Sequence, residues 1–279
     1  VLQSVSLRDR AGLAHLFIFW GFLSFSVSYV LFIYADSAWP GFSSIALSST
    51  GIKVFVWYLE ILALGFLVVL IWASLRRWLK TPRRLSFDLT QRSDAAIILT
   101  LIGMLMVCSL LASTFYVAAG GTGPEAAAPI GKTLGDLAYT AGLPIDAANG
   151  LHGFFWWLHL GVILGFAIYI PISKHMHLIG APISFFMRPL EAPGALDTPT
   201  DLERAESFGA GHVQDFTWKE LLDGYACAVC GRCTDVCRAN LTGKSLSPMH
   251  IVENLKDHLL DVGPELAKGR DLQDKKPLI

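Results

Sequence analysis

The sequence predicts an all-α membrane protein: a transmembrane four-helix bundle followed by a smaller, polar α-helical domain. Three observations predict it. Of 279 residues, 53% are hydrophobic and only 16% charged, whereas soluble domains carry about 25% charged residues. The charges are uneven, with 18 in residues 1–173 and 27 in residues 174–279. Four long stretches of the first part are nearly free of charge, and a tight group of cysteines marks the second. The apolar content excludes a disordered chain. A formal net charge of −1 excludes a strongly basic nucleic-acid binder.

A membrane-spanning helix needs about 20 apolar residues. Residues 11–35, 95–124 and 147–173 contain no Asp, Glu, Lys or Arg, and residues 54–75 contain only Glu60. The expected spans lie near 12–34, 53–75, 95–118 and 150–173, within a membrane domain of residues 1–189. Trp57, Trp72, Trp78, Trp156 and Trp157 stand near span ends, as interfacial anchors do. The loop between the second and third spans holds Arg76, Arg77, Lys80, Arg83, Arg84 and Arg92, while loops on the opposite side hold Lys53 and Lys132. The positive-inside rule then places both ends in the cytoplasm. The long loop 119–149 is expected to carry a surface helix near 132–141. Cys108, alone in the third span, reads as a small core residue.

Five histidines lie in or beside the spans: His15, His152, His159, His175 and His177. Ionisable groups in a bilayer are costly and usually functional. His15 opens the first span, and His175 and His177 close the fourth at the same side. Imidazoles from two helices can hold a haem iron from both faces. From His159 to His177 is 18 residues, five turns of an α-helix, so both point to one face, about 27 Å apart along the axis. That spacing leaves room for two stacked sites. His177 is preferred over His175 because it shares that face. His159 needs a partner such as His152 or a residue outside the chain. Glu60, the acidic residue inside a span, is a candidate proton carrier for a quinone near His159; the plainer reading is a side chain reaching the interface.

The sharpest motif is Cys227-x2-Cys230-x2-Cys233-x3-Cys237. This spacing is that of bacterial ferredoxins, whose thiolates hold a [4Fe–4S] cluster. Structural zinc prefers separated ligand pairs. The residue after Cys237 is Arg238 rather than the usual proline, and no cysteine follows. One cluster is therefore expected, closed by Cys237 or by a ligand beyond this chain. Thr217 to Glu220 reads as a capping box opening a helix before Cys227. Ser247-Pro248 reads as the start of a second helix, with Ile251, Leu255 and Leu259 on its apolar face. Residues 190–212, with Pro193, Gly194, Pro199, Gly209 and Gly211, read as a linker to a partial α-helical ferredoxin domain at 213–279.

The run from Leu221 through Cys237 to Ser247-Pro248 resembles the membrane-bound iron–sulfur oxidoreductases related to heterodisulfide reductase. That group includes proteins that link electron-transfer flavoprotein to menaquinone. Gly12-Leu-Ala-His15 and Ser173-Lys174-His175-Met176-His177 resemble the haem b (gamma) subunit of respiratory nitrate reductase. The resemblance implies a haem b membrane domain and a cytoplasmic ferredoxin domain with a second cluster motif downstream. It pairs His15 with His177 and leaves His159 as a ligand without a clear partner. It also implies that Lys275 to Ile279 precedes the second motif, and hence a chain truncated at both ends. The expected function is electron transfer between a soluble donor such as electron-transfer flavoprotein, the cluster, haem b and menaquinone or ubiquinone in a bacterial or archaeal cytoplasmic membrane. Two alternatives are a thiol or disulfide reductase subunit, with its active site in the absent C-terminal part, and a haem-free membrane anchor with a cluster module.

Overall fold

The computed structural model describes residues 9–81, 89–123, 125–188, 190 and 210–269. Helices dominate, and no strand occurs among the described residues. The chain divides into two compact units, the first holding residues 9–81 and 89–167 and the second holding residues 168–269. Most of the expected linker, residues 191–209, and the Lys275–Ile279 end lie outside the described residues.

The first unit contains α1 (Arg10–Tyr29), α2 (Ser49–Trp78), α3 (Leu89–Ala118), α4 (Pro129–Thr140) and most of α5 (Ile145–Tyr169). Among the described residues, four segments are long and apolar enough to cross a membrane: Arg10–Ala38, Ser49–Trp78, Arg92–Ala118 and Ile145–Ile172. Their helical start signals are local. Asp9 caps α1 by accepting from the Gly12 amide, and Ser48 caps α2 by accepting from Gly51. After Tyr29 the first span widens into a π-helical stretch, Val30–Ala35.

Little hydrophobic force drives helices together in lipid, so close packing at small residues matters. Helices α1 and α2 meet this way. The Phe66 ring covers Gly21, and the Phe17 ring covers Gly65, where an added Cβ would come within 2.6 Å of it. Phe17 and Phe66 rings lie 5.7 Å apart. Ser24 and Tyr58 share a hydroxyl hydrogen bond of 2.8 Å across the same pair. Helices α3 and α5 are joined by stacked Phe115 and Phe155 rings, 5.7 Å apart. Cys108 is buried in α3.

The surface helix expected near 132–141 is α4, and it starts earlier, at Pro129. Gly131 and Gly135 let it lie against α3: a Cβ at Gly135 would stand 2.7 Å from the Thr114 carbonyl oxygen and from Val117.

The second unit begins where the fourth span ends. Here the expectation of one unbroken helix from His159 to His177 is corrected. Helix α5 stops at Tyr169, tightens to a 3₁₀ turn at Ile170–Ile172, and opens at Ser173 into extended backbone (φ −112°, ψ 169°). A second tight turn, Lys174–Met176, leads into α6 (His177–Phe186). Pro171 brings no N–H, and the Ser173 hydroxyl takes the His175 amide instead. The five-turn argument that put His159 and His177 on one face therefore does not apply.

Beyond the linker come α7 (Trp218–Ala226), the short helices α8 (Arg232–Val236) and α9 (Arg238–Leu241), and α10 (Pro248–Ala267). The Thr217–Glu220 capping box forms, with the Thr217 hydroxyl accepting from the Glu220 amide and the Glu220 carboxylate accepting from the Thr217 amide at 2.8 Å. Ser247 caps α10, with Pro248 in its first turn. The expected apolar face of α10 is partly corrected. Leu255 is buried, but Ile251 is 52% exposed, and Met249 and Val262 are buried instead. Ile251 lies only about 40° from Leu255 and about 20° from Val262 around the helix, so periodicity does not account for its exposure.

Candidate functional site

The four cysteines lie on a short connector between α7 and α9. Cys227 ends α7, Cys233 sits in α8, and Cys237 both ends α8 and starts α9. The connector holds two left-handed residues: Val229 at φ 50° and Gly231 at φ 71°. Gly231 adopts that conformation without penalty. Val229 is β-branched, for which it is an outlier, and its side chain is buried. Gly231, left-handed and followed directly by the right-handed helix α8, has the dihedral pairing of an anion-binding nest. The Val229 backbone acts on the Cys227 thiol in favour of its charged form.

Cys227 and Cys237 are half-buried, while Cys230 and Cys233 are exposed, and all four are free thiols. Burial pushes the Cys227 thiol up, and the neighbouring Cys230 and Cys233 push it further; the Val229 amide and Lys256 act the other way. Three of the four thiols are thus electrical neighbours. As placed, the side chains do not converge: no group of three or more His, Cys, Asp or Glu that could hold a metal ion occurs among the described residues. The donor set fits an iron–sulfur cluster, because all four side chains are soft sulfur donors at ferredoxin spacing, and Lys256 and the Val229 backbone favour the thiolate of Cys227. Lys256 was missed by sequence reasoning. Its stem covers Gly224, with its Cβ 3.3 Å from where a Gly224 Cβ would stand, and its charge acts on Cys227.

The helix carrying His177 packs on the helix that leads into Cys227. Gly180 of α6 is buried against the Tyr225–Ala226 backbone. Ser184 of α6 and Lys219 of α7 both bond the Asp223 carboxylate. His177 Nδ1 donates to the Lys174 carbonyl at 2.7 Å. That bond fixes the tautomer with the lone pair on Nε2, as the backbone-bonded histidines of metal sites do. Burial lowers the His177 pKa, which favours the neutral, ligating form. The His175 ring meets His177 edge to face, 5.3 Å away. His177 therefore fits the chemistry of a haem ligand.

The other candidates belong to the first unit. His15 stands exposed on α1. His152 donates from Nδ1 to the Ala112 carbonyl at 2.9 Å, tying α5 to α3. His159 meets Tyr29, whose hydroxyl is hydrogen-bonded to Nε2. Tyr29 was not singled out from the sequence, where nothing marks one phenol among several in apolar spans.

Glu60 is buried, at 7% exposure, rather than reaching the interface. Its carboxylate accepts from the Ile130 amide at 2.7 Å, the Gly131 amide at 2.9 Å and the Ser113 hydroxyl at 3.0 Å. Ala128 supplies no side-chain cap to α4, so Glu60 fills that role from a distant helix. A carboxylate is well suited there, because it meets unpaired amides and the positive end of the dipole.

A helical unit with four candidate membrane spans and a four-cysteine connector define a membrane protein with a thiolate site. Comparison with known proteins sharpens this. Over 94% of its length the chain is 34% identical to a Bacillus subtilis protein named "Probable iron-sulfur-binding oxidoreductase FadF". Over 96% of its length it is 30% identical to the "EtfAB:quinone oxidoreductase" of Syntrophomonas wolfei. A stretch of 56 residues is 41% identical to the "Probable membrane-anchored ferredoxin" of Chromohalobacter salexigens. The chain spans 36% and 38% of the length of the first two relatives. No family model and no solved structure matches the chain. The relatives support an iron–sulfur oxidoreductase family, an iron–sulfur cluster, and a place in the membrane.

Proposed function

We propose that this chain is the membrane and cluster-binding part of an oxidoreductase that passes electrons between a soluble donor and the membrane quinone pool. The carrying observation is the cysteine connector: four thiol ligands at ferredoxin spacing on a backbone nest. Cys227, Cys230, Cys233 and Cys237 hold one [4Fe–4S] cluster. The resemblance to haem b subunits supports His15 and His177 as the ligands of one haem b, with His175 the alternative to His177. Bound there, these groups would supply one-electron redox chemistry. The protein's own residues hold them, with Lys256 offsetting thiolate charge beside Cys227. The domain limits follow as 1–189 for the membrane part, 190–212 for the linker and 213–279 for the cluster part. The Arg-rich loop between the second and third spans supports a cytoplasmic cluster domain.

The name of the Syntrophomonas wolfei relative supports electron-transfer flavoprotein as donor and a quinone as acceptor. Glu60 carries no proton step in this reading, since its oxygens are engaged in anchoring α4. The test is anaerobic. The reconstituted protein, reduced with dithionite and freed of excess reductant, is mixed with menadione. Reoxidation of the cluster with formation of menadiol is expected, and Cys230→Ser should abolish it. Reduced protein that keeps its electrons in the presence of menadione contradicts the reading.

A further inference from the structure

We propose that the Tyr29–His159 pair is a hydrogen-bonding site for a quinol headgroup, and that His159 carries no haem. The inference rests on the quinone reading above and deepens it. The family resemblance leaves His159 without a clear second ligand, and the structure gives it Tyr29 as a neighbour. The Tyr29 and His159 rings lie nearly parallel, 18° apart with centroids at 6.3 Å, and the Tyr29 hydroxyl is bonded to His159 Nε2. The other nitrogen, Nδ1, is buried without a hydrogen-bond partner. An axial ligand needs one nitrogen directed at open space for the metal. Neither nitrogen of His159 is so placed.

The neighbours also assign the protons. A phenol hydroxyl is the better donor and an imidazole nitrogen the better acceptor, so Tyr29 donates to Nε2 and the neutral ring carries its proton on Nδ1. The Tyr29 oxygen keeps its own lone pairs for a further donor. A quinol presents hydroxyl donors, whereas a quinone presents only carbonyl acceptors, so the pair is matched to the reduced form.

The surroundings suit a ligand arriving through lipid. Tyr29 is the last residue of α1 before the π-helical stretch Val30–Ala35. Such widened turns recur at functional sites. Val30 is 56% and Ile33 46% exposed on that stretch, so apolar side chains that meet lipid follow Tyr29 directly in the chain. Ligand sites of this kind combine apolar walls with a few placed polar groups.

The test uses the full chain in detergent, titrated anaerobically with menadiol and separately with menadione. Wild type is expected to bind menadiol more tightly. Tyr29→Phe, which keeps the ring, should weaken menadiol binding roughly tenfold and leave menadione binding nearly unchanged. His159→Gln should leave the haem content per chain at the wild-type value. Menadiol binding by Tyr29→Phe equal to wild type, or a haem lost in His159→Gln, overturns the proposal. Wild type that binds neither form overturns the quinone reading itself, which is a distinct result.

Discussion

Gly180 lies directly against the main chain of Tyr225. A Cβ at position 180 would stand 2.7 Å from the Tyr225 carbonyl oxygen and 3.0 Å from the Ala226 nitrogen. Helix α6, which His177 opens, is thereby pressed onto the last turn of α7, one residue before Cys227. The contact is between backbones, so it cannot yield by a side-chain rotation. It joins the expected haem ligand and the first cluster ligand within one compact unit.

Gly180→Ala is therefore expected to destabilise the protein. Alanine gains about 1 kcal/mol of helix propensity, but overpacking costs about 1–3 kcal/mol, and here the clash is with backbone. A loss on the order of 1 kcal/mol in urea unfolding is the expected outcome. Unchanged or raised stability would show that the α6–α7 contact is not as close as described.

Glu60 anchors α4 through three donors. Replacing it by leucine leaves the buried Gly131 amide and its neighbours unpaired, at about 1–3 kcal/mol per donor. Glu60→Leu should speed hydrogen exchange at the Ile130 and Gly131 amides and destabilise the first unit by at least about 2 kcal/mol. Glu60→Gln keeps one acceptor oxygen and should lose less. Equal exchange rates in wild type and Glu60→Leu would contradict the anchoring role.

Much of this was legible in the sequence, and the boundary is physical. The spans follow from composition, because Asp, Glu, Lys and Arg are excluded over distances set by the bilayer. The caps at Thr217 and Ser247 follow from three-residue patterns. The partners of Glu60 were not legible, since Ile130 and Gly131 lie 70 and 71 residues away. Nor was the Tyr29–His159 contact, at a separation of 130. The break at Ser173 had a local sign in Pro171, but an apolar run outweighed it. Ile251 is exposed although it shares a face with the buried Leu255 and Val262, so its exposure depends on tertiary cover that periodicity does not specify.

Lys256 brings a positive charge to Cys227. Reduction adds negative charge to a cluster already ringed by thiolates, so a nearby cation favours the reduced form. Lys256→Met should lower the cluster's midpoint potential in an EPR-monitored redox titration, with cluster content unchanged. A potential that stays the same or rises would remove Lys256 from any tuning role.

The haem reading has an optical signature. A dithionite-reduced minus oxidised spectrum of haem-supplied protein is expected to show sharp b-type bands that His177→Ala abolishes. His175→Ala should retain them, because His177 holds the backbone-fixed tautomer. Bands that survive His177→Ala but vanish in His175→Ala would reverse the assignment.

The most direct test of the central claim is the metal content and EPR spectrum of the anaerobically purified protein. About four iron and four sulfide per chain are expected from the cluster, with one further iron where haem b is bound, and a dithionite-induced signal of a reduced [4Fe–4S] cluster that Cys230→Ser removes. Zinc in place of iron, or an iron-free protein with no signal after reconstitution, would contradict it.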